Sequence, residues 1–259
     1  MTVDLTARLA GRVAVITGAA SGIGLAAARR MRAEGATIVV GDIDPAAGEP
    51  VAAELGGTFV AVDVADEAAV DNLFDTAAAT HGSVDIAFNN AGISPPDDDL
   101  IETTELPAWQ RVQDVNLKSV YLCCRAALRH MVPAGRGSII NTASFVAVMG
   151  SATSQISYTA SKGGVLAMSR ELGVQFARQG IRVNALCPGP VNTPLLQELF
   201  AKDPERAARR LVHIPLGRFA EAEELAAAVA FLASDDASFI TASTFLVDGG
   251  ISSAYVTPL

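Results

Sequence analysis

The 259-residue sequence has few cysteines, few histidines and little aromatic content. Its three cysteines, Cys123, Cys124 and Cys187, fit neither a disulfide framework nor zinc-ligand spacing, so we expect buried structural thiols. The three histidines are scattered along the chain, and no metal is expected. Aromatic residues make up 5% of the chain against 50% hydrophobic residues, so alanine and the aliphatic residues must fill the core.

Positive charge is also scarce, with 19 lysines and arginines against 28 aspartates and glutamates and a formal net charge of −9. Because no basic cluster offsets this balance, we expect no nucleic-acid partner. No apolar stretch reaches the ~18 residues of a membrane-spanning helix, so no membrane partner is expected. The segment Met1–Gly11 lacks the apolar core of a secretory signal, and we therefore expect a cytoplasmic protein.

The sequence does contain a repeated alternation of short apolar runs and helical patterns. The predicted strands are Val13–Ile16, Thr37–Gly41, Phe59–Val62, Ile86–Phe88, Ser138–Thr142, Ile181–Leu186 and Ser243–Val247. Four strand–helix units in succession predict an α/β fold, a parallel sheet with right-handed crossovers and helices on both faces. The carboxyl ends of the strands then share one edge, where ligands bind in such sheets. The length suits a single domain over residues 1–259.

A glycine-rich turn joins the first predicted strand to the first helix. Gly18, Gly22 and Gly24 permit a tight turn and a close approach of a ligand to the backbone. The N–H groups and the dipole at the start of the following helix attract a pyrophosphate. The spacing Gly-x-x-x-Gly-x-Gly departs from the commoner Gly-x-Gly-x-x-Gly fingerprint, but its strand–turn–helix context predicts a dinucleotide site.

Asp42 ends the second predicted strand, eighteen residues past Gly24. A carboxylate near this position accepts hydrogen bonds from the adenosine-ribose hydroxyls and repels a 2′-phosphate, which predicts NAD rather than NADP. Two alternatives remain open at this point. Asp42 could be a solvated loop acid, or the nearby Asp44 could take the same role.

Tyr158 and Lys162 are four residues apart at the start of an apolar run that predicts a long buried helix. On a helix both side chains emerge from one face, one turn apart. A cation held close to a phenol favours the phenolate, so we expect Lys162 to lower the pKa of Tyr158 and make it an acid/base near neutral pH. The apolar run comprises Val165, Leu166, Met168, Leu172, Val174 and Phe176.

Several motifs in order along the chain resemble the short-chain dehydrogenase/reductase family. They are Thr17–Gly24, Asp63, Asn89–Gly92, Asn116, Ser144, Tyr158, Lys162 and Pro188–Gly189. The likeness covers essentially the whole chain, and it is greatest to the branch that resembles 3-oxoacyl-acyl-carrier-protein reductases. It implies a single Rossmann-type domain, a doubly wound parallel sheet of about seven strands.

The resemblance implies roles for specific side chains. Tyr158 would exchange the substrate proton, Lys162 would bind the nicotinamide ribose, Ser144 would steady the substrate oxygen, and Asn116 would hold a water for proton relay. Ser151, Ser154 and Ser157 lie in the same segment and could in principle replace Ser144. The cofactor residues implied are Gly18, Ser21, Gly22, Ile23, Gly24, Asp42, Ile43, Asp63, Val64, Asn90, Ala91, Gly92, Tyr158, Lys162, Pro188, Gly189, Val191 and Thr193.

The resemblance also implies a substrate lid at about 190–215 and a homotetramer built on the helices that begin near Asn116 and Tyr158. The apolar tail 251–259 is expected to pack on a neighbouring subunit. The loop after Gly92 carries Pro95, Pro96 and three aspartates at 97–99, whose acids we expect to form a solvated face.

The function predicted is an NAD(H)-dependent oxidoreductase that interconverts a small-molecule secondary alcohol and a ketone. One alternative is a 3-oxoacyl-thioester reductase that uses NADPH. A second alternative, from a different class, is a dinucleotide-binding regulator without turnover. The presence of Ser144, Tyr158 and Lys162 together argues against the regulator, because a protein that only binds has no need of an acid/base pair.

Overall fold

The computed structural model describes residues 7–151, 153–193, 196 and 211–255. Seven parallel strands form one sheet in the order β3-β2-β1-β4-β5-β6-β7. The strands are β1 (Val13–Thr17), β2 (Thr37–Asp42), β3 (Thr58–Ala61), β4 (Ile86–Asn89), β5 (Gly137–Thr142), β6 (Ile181–Pro188) and β7 (Thr244–Val247). Every predicted strand is present, with ends within two residues of the expected positions.

The helices are α1 (Gly22–Ala33), α2 (Pro45–Leu55), α3 (Glu67–His81), α4 (Leu106–Gln113), α5 (Ser119–Ala134), α6 (Ile156–Gln175) and α7 (Ala222–Ala233). Side-chain caps begin several of them. Asp44 accepts from the Ala46 N–H at the start of α2, and Asp66 accepts from the Ala69 N–H at the start of α3. Asp44 therefore has a local structural role.

Both faces of the sheet are covered, as a parallel sheet of apolar strands requires. Residues of α1, α2 and α7 form one core with one face of the sheet. Residues of α3, α5 and α6 form a second core with the opposite face. Alanine fills much of the space between helices: Ala27 and Ala28 of α1 and Ala230 of α7 are fully buried. Small side chains let these helices approach closely, which explains why so few aromatic residues suffice.

The strand order reverses between β1 and β4, which lie side by side. In doubly wound sheets the crevice outside the strand ends at this point is the ligand-binding site. Because all seven strands are parallel, the residues at their carboxyl ends share that edge. They include Thr17, Asp42, Asn89, Thr142 and Pro188.

The apolar run on α6 is not buried throughout, because Val174 is 74% exposed on the outer face of the helix. The predicted lid at about 190–215 lies largely outside the described residues, as does the tail beyond Tyr255. Among the helices of the described ranges, none has the length and apolar character needed to cross a bilayer.

Candidate active site

The glycine turn between β1 and α1 is closely packed on itself. Gly18 and Gly22 have φ angles of +63° and +53°, which favour glycine. A Cβ on Gly24 would lie 2.1 Å from the Gly18 oxygen, so no side chain fits there. By contrast, a Cβ on Gly22 would meet only the Thr193 Cγ2 atom, at 3.8 Å. The turn is therefore packed on its inner side and open toward Thr193.

A hydrogen-bonded link holds this turn against the end of β4. The Thr17 hydroxyl accepts from the backbone N–H groups of Asn90 and Ala91 at 3.1 and 3.2 Å. The Asn90 side-chain amide donates to the Thr17 and Gly18 carbonyl oxygens at 3.3 and 3.2 Å. The predicted cofactor residues Asn90 and Ala91 thus lie beside the turn, and Thr17 has a positioning role that the sequence reading did not single out.

Asp42 connects the end of β2 to the same turn. Its carboxylate accepts from the Ala20 N–H at 2.9 Å and from the Asp44 N–H at 3.3 Å. The Asp44 side chain is occupied at the start of α2. Of the two acids considered from the sequence, Asp42 is the one in contact with the glycine turn.

The other predicted cofactor residues lie at neighbouring strand ends. Val191 is buried and pairs with Ala220, and a Cβ on Gly189 would lie 2.7 Å from the Asp248 backbone. Val64 is buried, whereas Ile43 is 69% exposed. Asp63 is exposed and accepts from the Ala65 N–H in its own turn. The segment after β3 thus presents the buried side chain of Val64 and the exposed carboxylate of Asp63.

These residues fit a nicotinamide dinucleotide. α1 has no acidic residue in its first turn, and its N-cap residue Ser21 makes no side-chain cap, so the positive end of the helix is left for an anion. The space above Gly22 is the part of the turn that a side chain would fill. Gly18, Ser21, Gly22, Ile23 and Gly24 would hold the pyrophosphate, and Asp42 would hold the adenosine ribose.

Tyr158 and Lys162 lie in the first two turns of α6. The Lys162 ammonium is 5.6 Å from the centre of the Tyr158 ring, and it donates a 2.7 Å hydrogen bond to the Thr142 carbonyl oxygen at the end of β5. Lys162 is only 3% exposed. A Cβ on Gly92 would lie 3.2 Å from the Asn116 Oδ1 atom and 3.4 Å from the Lys162 Nζ atom, so Gly92 lies against both side chains.

Ser144 reaches the site from the loop that follows β5. Its backbone begins a short 3₁₀ helix (Phe145–Ala147), and its hydroxyl accepts from the Val146 N–H at 3.4 Å. The Ser144 hydroxyl also hydrogen-bonds the Tyr158 phenol. Of the alternatives considered, the Ser151 hydroxyl donates to the Thr153 carbonyl oxygen, and Ser157 is fully buried. Ser144 is therefore the serine that is paired with the tyrosine.

The acid/base groups have shifted pKa values for identifiable reasons. The pKa of Tyr158 is raised above its ordinary value because burial disfavours the phenolate. The hydrogen bond with Ser144 acts in the opposite direction but has the smaller effect. Burial lowers the pKa of Lys162 to about 8. The expectation that Lys162 lowers the pKa of Tyr158 is wrong for this structure, because removal of the phenol from water dominates and the ammonium is directed at Thr142.

Asn116 lies in a five-residue π-helical turn (Asp114–Lys118) between α4 and α5. Its side chain accepts from the Ile93 N–H and donates to the Ile93 carbonyl oxygen, both at 2.8 Å. It also donates to the Ser161 hydroxyl at 3.3 Å. The π-helical turn interrupts the regular helix at this position, and the Asn116 amide fixes the loop after β4 against α6.

The sequence reading missed one further residue at this site. Asp98, expected on a solvated face, is only 5% exposed, and its carboxylate accepts from the backbone N–H groups of Ser157 and Tyr158 at 2.9 and 2.8 Å. The expectation is therefore wrong for Asp98. Asp97 is exposed as expected, and Arg111 pairs with it at 2.8 Å. No local sequence signal distinguishes these adjacent aspartates, because the partner helix lies about sixty residues away.

A doubly wound parallel sheet with a glycine turn at the switch point and a polar cluster beside it defines a Rossmann-type dinucleotide-binding fold. A family model described as enoyl-(acyl carrier protein) reductase matches residues 18–252. The chain belongs to the short-chain dehydrogenase/reductase family, whose members are oxidoreductases that use nicotinamide dinucleotides.

Three similar proteins illustrate the breadth of the family. Cis-4-hydroxycyclohexanecarboxylate dehydrogenase of Sinomonas cyclohexanicum is 46% identical over 93% of this chain and 96% of that protein. The 3-oxoacyl-[acyl-carrier-protein] reductase FabG of Thermotoga maritima is 37% identical over 94% and 99%. The crystal structure of levodione reductase superposes with a TM-score of 0.89 at 36% identity, covering 95% of this chain and all of that one.

Proposed function

We propose that this protein is an NAD(H)-dependent dehydrogenase that interconverts a secondary alcohol and a ketone. The observation that carries the proposal is the grouping of Ser144, Tyr158 and Lys162 at the carboxyl end of β5, beside the glycine turn. The similarity to a dehydrogenase of a hydroxycyclohexane carboxylate supports an alicyclic alcohol as the substrate class. NAD⁺ bound along the strand ends supplies the hydride acceptor.

Side chains of the site would transfer the proton and stabilise the charge on the substrate oxygen. Tyr158 takes the hydroxyl proton during oxidation and returns it during reduction. The Ser144 hydroxyl donates to the substrate oxygen and stabilises negative charge on it. Lys162 remains largely protonated at neutral pH, because its pKa of about 8 is still above 7. Its positive charge opposes the effect of burial by favouring the phenolate of Tyr158, which is the form that accepts the substrate proton.

The preference for NAD over NADP follows from Asp42. A 2′-phosphate would meet this carboxylate, and the segment from Thr37 to Pro50 contains no lysine or arginine to compensate. Such a repulsion is worth about 1–3 kcal/mol, or roughly tenfold to a few hundredfold in affinity. In the structure the Asp42 carboxylate accepts from the Ala20 N–H at 2.9 Å, which favours its position beside the glycine turn.

The experiment has two arms. NAD⁺ reduction is followed over a panel of cyclohexanol, cis-4-hydroxycyclohexanecarboxylate, a sugar alcohol and a 3-hydroxyacyl thioester. Dissociation constants for NADH and NADPH are measured by the fluorescence of the reduced nicotinamide, with Asp42→Ala as the variant. We expect turnover of an alicyclic alcohol, tighter binding of NADH, and a smaller gap between the two cofactors in Asp42→Ala. Equal or tighter NADPH binding by the unmodified chain would end the NAD assignment.

A second candidate function is reduction of a 3-oxoacyl thioester with NADPH. The 37% identity to the Thermotoga reductase favours it, since that protein is matched over nearly its whole length. Preferred turnover of the thioester together with tighter NADPH binding would make this the function.

We further propose a cytoplasmic homotetramer. The outer face of α6 presents Ala160, Ala167 and Val174, which are small or apolar and exposed in the single chain, together with the exposed Arg170 and Glu171. The outer face of α5 presents the exposed Arg129 and the 51%-exposed Tyr121, and Lys118 is exposed just before the helix begins. Paired copies of α6 would bury the apolar face. A monomeric mass by light scattering at micromolar concentration would contradict this assembly.

A further inference from the structure

The helix that carries Tyr158 has no cap of its own. Its N-cap residue Gln155 makes no side-chain hydrogen bond to the first turn. The first N–H groups of a helix have no partner within the helix and must find one elsewhere. The three at the start of α6 are all satisfied by the loop after β4. Ile156 donates to the Asp99 carbonyl oxygen at 3.3 Å, and Ser157 and Tyr158 donate to the two oxygens of Asp98.

Asp98 is suited to this role by both charge and burial. A carboxylate is stabilised at the positive end of a helix, and more so when it is shielded from water. Among the ion pairs of the described residues none involves Asp98, so the backbone amides of α6 are what compensate its buried charge. A buried acid without these amides would be strongly unfavourable, which ties the position of the loop to that of the helix.

The loop that supplies Asp98 is itself braced. The Asp98 N–H donates to the Pro95 carbonyl oxygen at 3.2 Å, and the Asp99 N–H donates to the Thr104 hydroxyl at 2.9 Å. From the other side, the Gln113 side chain donates to the Ser157 carbonyl oxygen at 2.9 Å. The first turn of α6 is therefore held by contacts far apart in the sequence.

We propose that Asp98 is a positioning residue for Tyr158, which it fixes by capping α6 from the loop after β4. The inference rests on the proposed function, since the position of the phenol matters only if Tyr158 exchanges the substrate proton. Lys162 is anchored separately, through its hydrogen bond to Thr142. Loss of the cap should therefore displace the tyrosine while the lysine and the glycine turn keep their places.

The test compares Asp98→Asn with Asp97→Asn. The asparagine at 98 has nearly the same shape, but it keeps only one acceptor oxygen and directs an NH₂ group at a backbone donor. At 97 the same change removes only an exposed ion pair with Arg111. Both are assayed with NAD⁺ and the panel alcohol that the unmodified protein oxidises fastest. Asp98→Ala, which removes both acceptors, is a third variant.

We expect kcat to fall about tenfold in Asp98→Asn and about a hundredfold in Asp98→Ala, since a displacement of about 1 Å can cost this much. The KM for the alcohol and the Kd for NADH should stay within about twofold of the unmodified values. Asp97→Asn should change none of these. Hydrogen exchange of the peptide 155–162 should be faster in Asp98→Asn than in Asp97→Asn.

Two results would overturn the inference. One is a kcat in Asp98→Asn equal to that in Asp97→Asn. The other is a parallel loss of kcat, NADH affinity and thermal stability in Asp98→Asn, which would indicate a general structural role. If the unmodified chain binds NADH but oxidises none of the alcohols, the proposed function fails by itself. In that case unchanged exchange of peptide 155–162 in Asp98→Asn still overturns the cap, because this measurement needs no turnover.

Discussion

Lys162 is bound to the carbonyl oxygen of Thr142, at 2.7 Å, while its ammonium stays 5.6 Å from the centre of the Tyr158 ring. The strand end thus holds the lysine, and the helix alone does not determine its direction. This arrangement fixes a buried cation at the sheet edge. It also explains why the pKa of Tyr158 depends mainly on burial and on the hydrogen bond with Ser144.

Replacing Tyr158 with phenylalanine should remove the proton-transfer group and little else. We expect kcat to fall by about 10²–10⁴-fold, the range typical of a general acid/base group. The Kd for NADH should remain nearly unchanged, because the ring is retained. Steady-state kinetics and fluorescence titration measure the two quantities. Normal turnover in Tyr158→Phe would remove this residue from the mechanism, whereas Lys162→Ala should impair both turnover and cofactor binding.

The lowered pKa of Lys162 predicts a pH dependence of stability. Below about pH 8 the folded protein must hold a buried charge that the unfolded chain, with the ordinary pKa of 10.5, holds freely in water. The free-energy cost of burying this charge is present at neutral pH and disappears as the pH rises from about 8 to 10.5. The unmodified protein should therefore gain stability relative to Lys162→Met over this range, by about 2–3 kcal/mol.

Denaturant unfolding of both proteins at pH 7.5 and at pH 10.5 tests this expectation. The thiols of Cys123 and Cys124 cancel in the difference, and Cys187, which interacts with Lys162, is replaced by alanine in both proteins. A stability difference that is independent of pH, or one that changes with the opposite sign, would show that Lys162 does not titrate near 8 in the folded state.

Gly24→Ala should damage the cofactor turn directly. The new Cβ would lie 2.1 Å from the Gly18 oxygen and 2.8 Å from the Asn90 amide, so the turn must move. We expect a loss of about 1–3 kcal/mol in stability, as in other overpacked sites, and at least about tenfold weaker NADH binding, which corresponds to 1.4 kcal/mol. Gly150→Ala is the control, because a Cβ there meets nothing within 4 Å. Equal NADH affinity in the two variants would contradict the role of the turn.

The proposed assembly can be tested at one position on α6. Val174→Asp places a charge on the exposed apolar face, where paired copies would have to bury it. We expect tetramers of the unmodified chain to dissociate to smaller species in this variant, by size-exclusion chromatography with light scattering. Ile43→Asp, a change at another exposed apolar residue, should leave the mass unchanged. A tetramer that persists in Val174→Asp would place the interface elsewhere.

Much of the fold was predictable because the elements are encoded locally. The apolar runs of β1 and β2 are continuous, as strands buried on both faces require, and the glycine turn follows β1 directly. Helix α3 spans Glu67–His81, and its buried residues Val70, Leu73, Phe74 and Ala77 recur at helical spacing. These features depend on residues a few positions apart, whose periodicity is visible in the chain.

The parts of the site that could not be predicted depend on contacts between distant segments. Asp97, Asp98 and Asp99 are adjacent residues of the same type, yet only the side chain of Asp98 accepts from the amides of α6. The exposure of Val174 could not be predicted for the same reason, since helical periodicity does not show which apolar residue faces solvent.

The amino-acid sequence by itself determined the order of strands and helices, the glycine turn at the end of β1, and the presence of Tyr158 and Lys162 on one helical face. Tertiary structure alone decided that Lys162 binds Thr142, that burial raises the pKa of Tyr158, and that Asp98 caps the helix which carries it. The physical reason is that helical and strand periodicity are local, whereas desolvation and hydrogen-bond partners depend on which distant segments the sheet brings together.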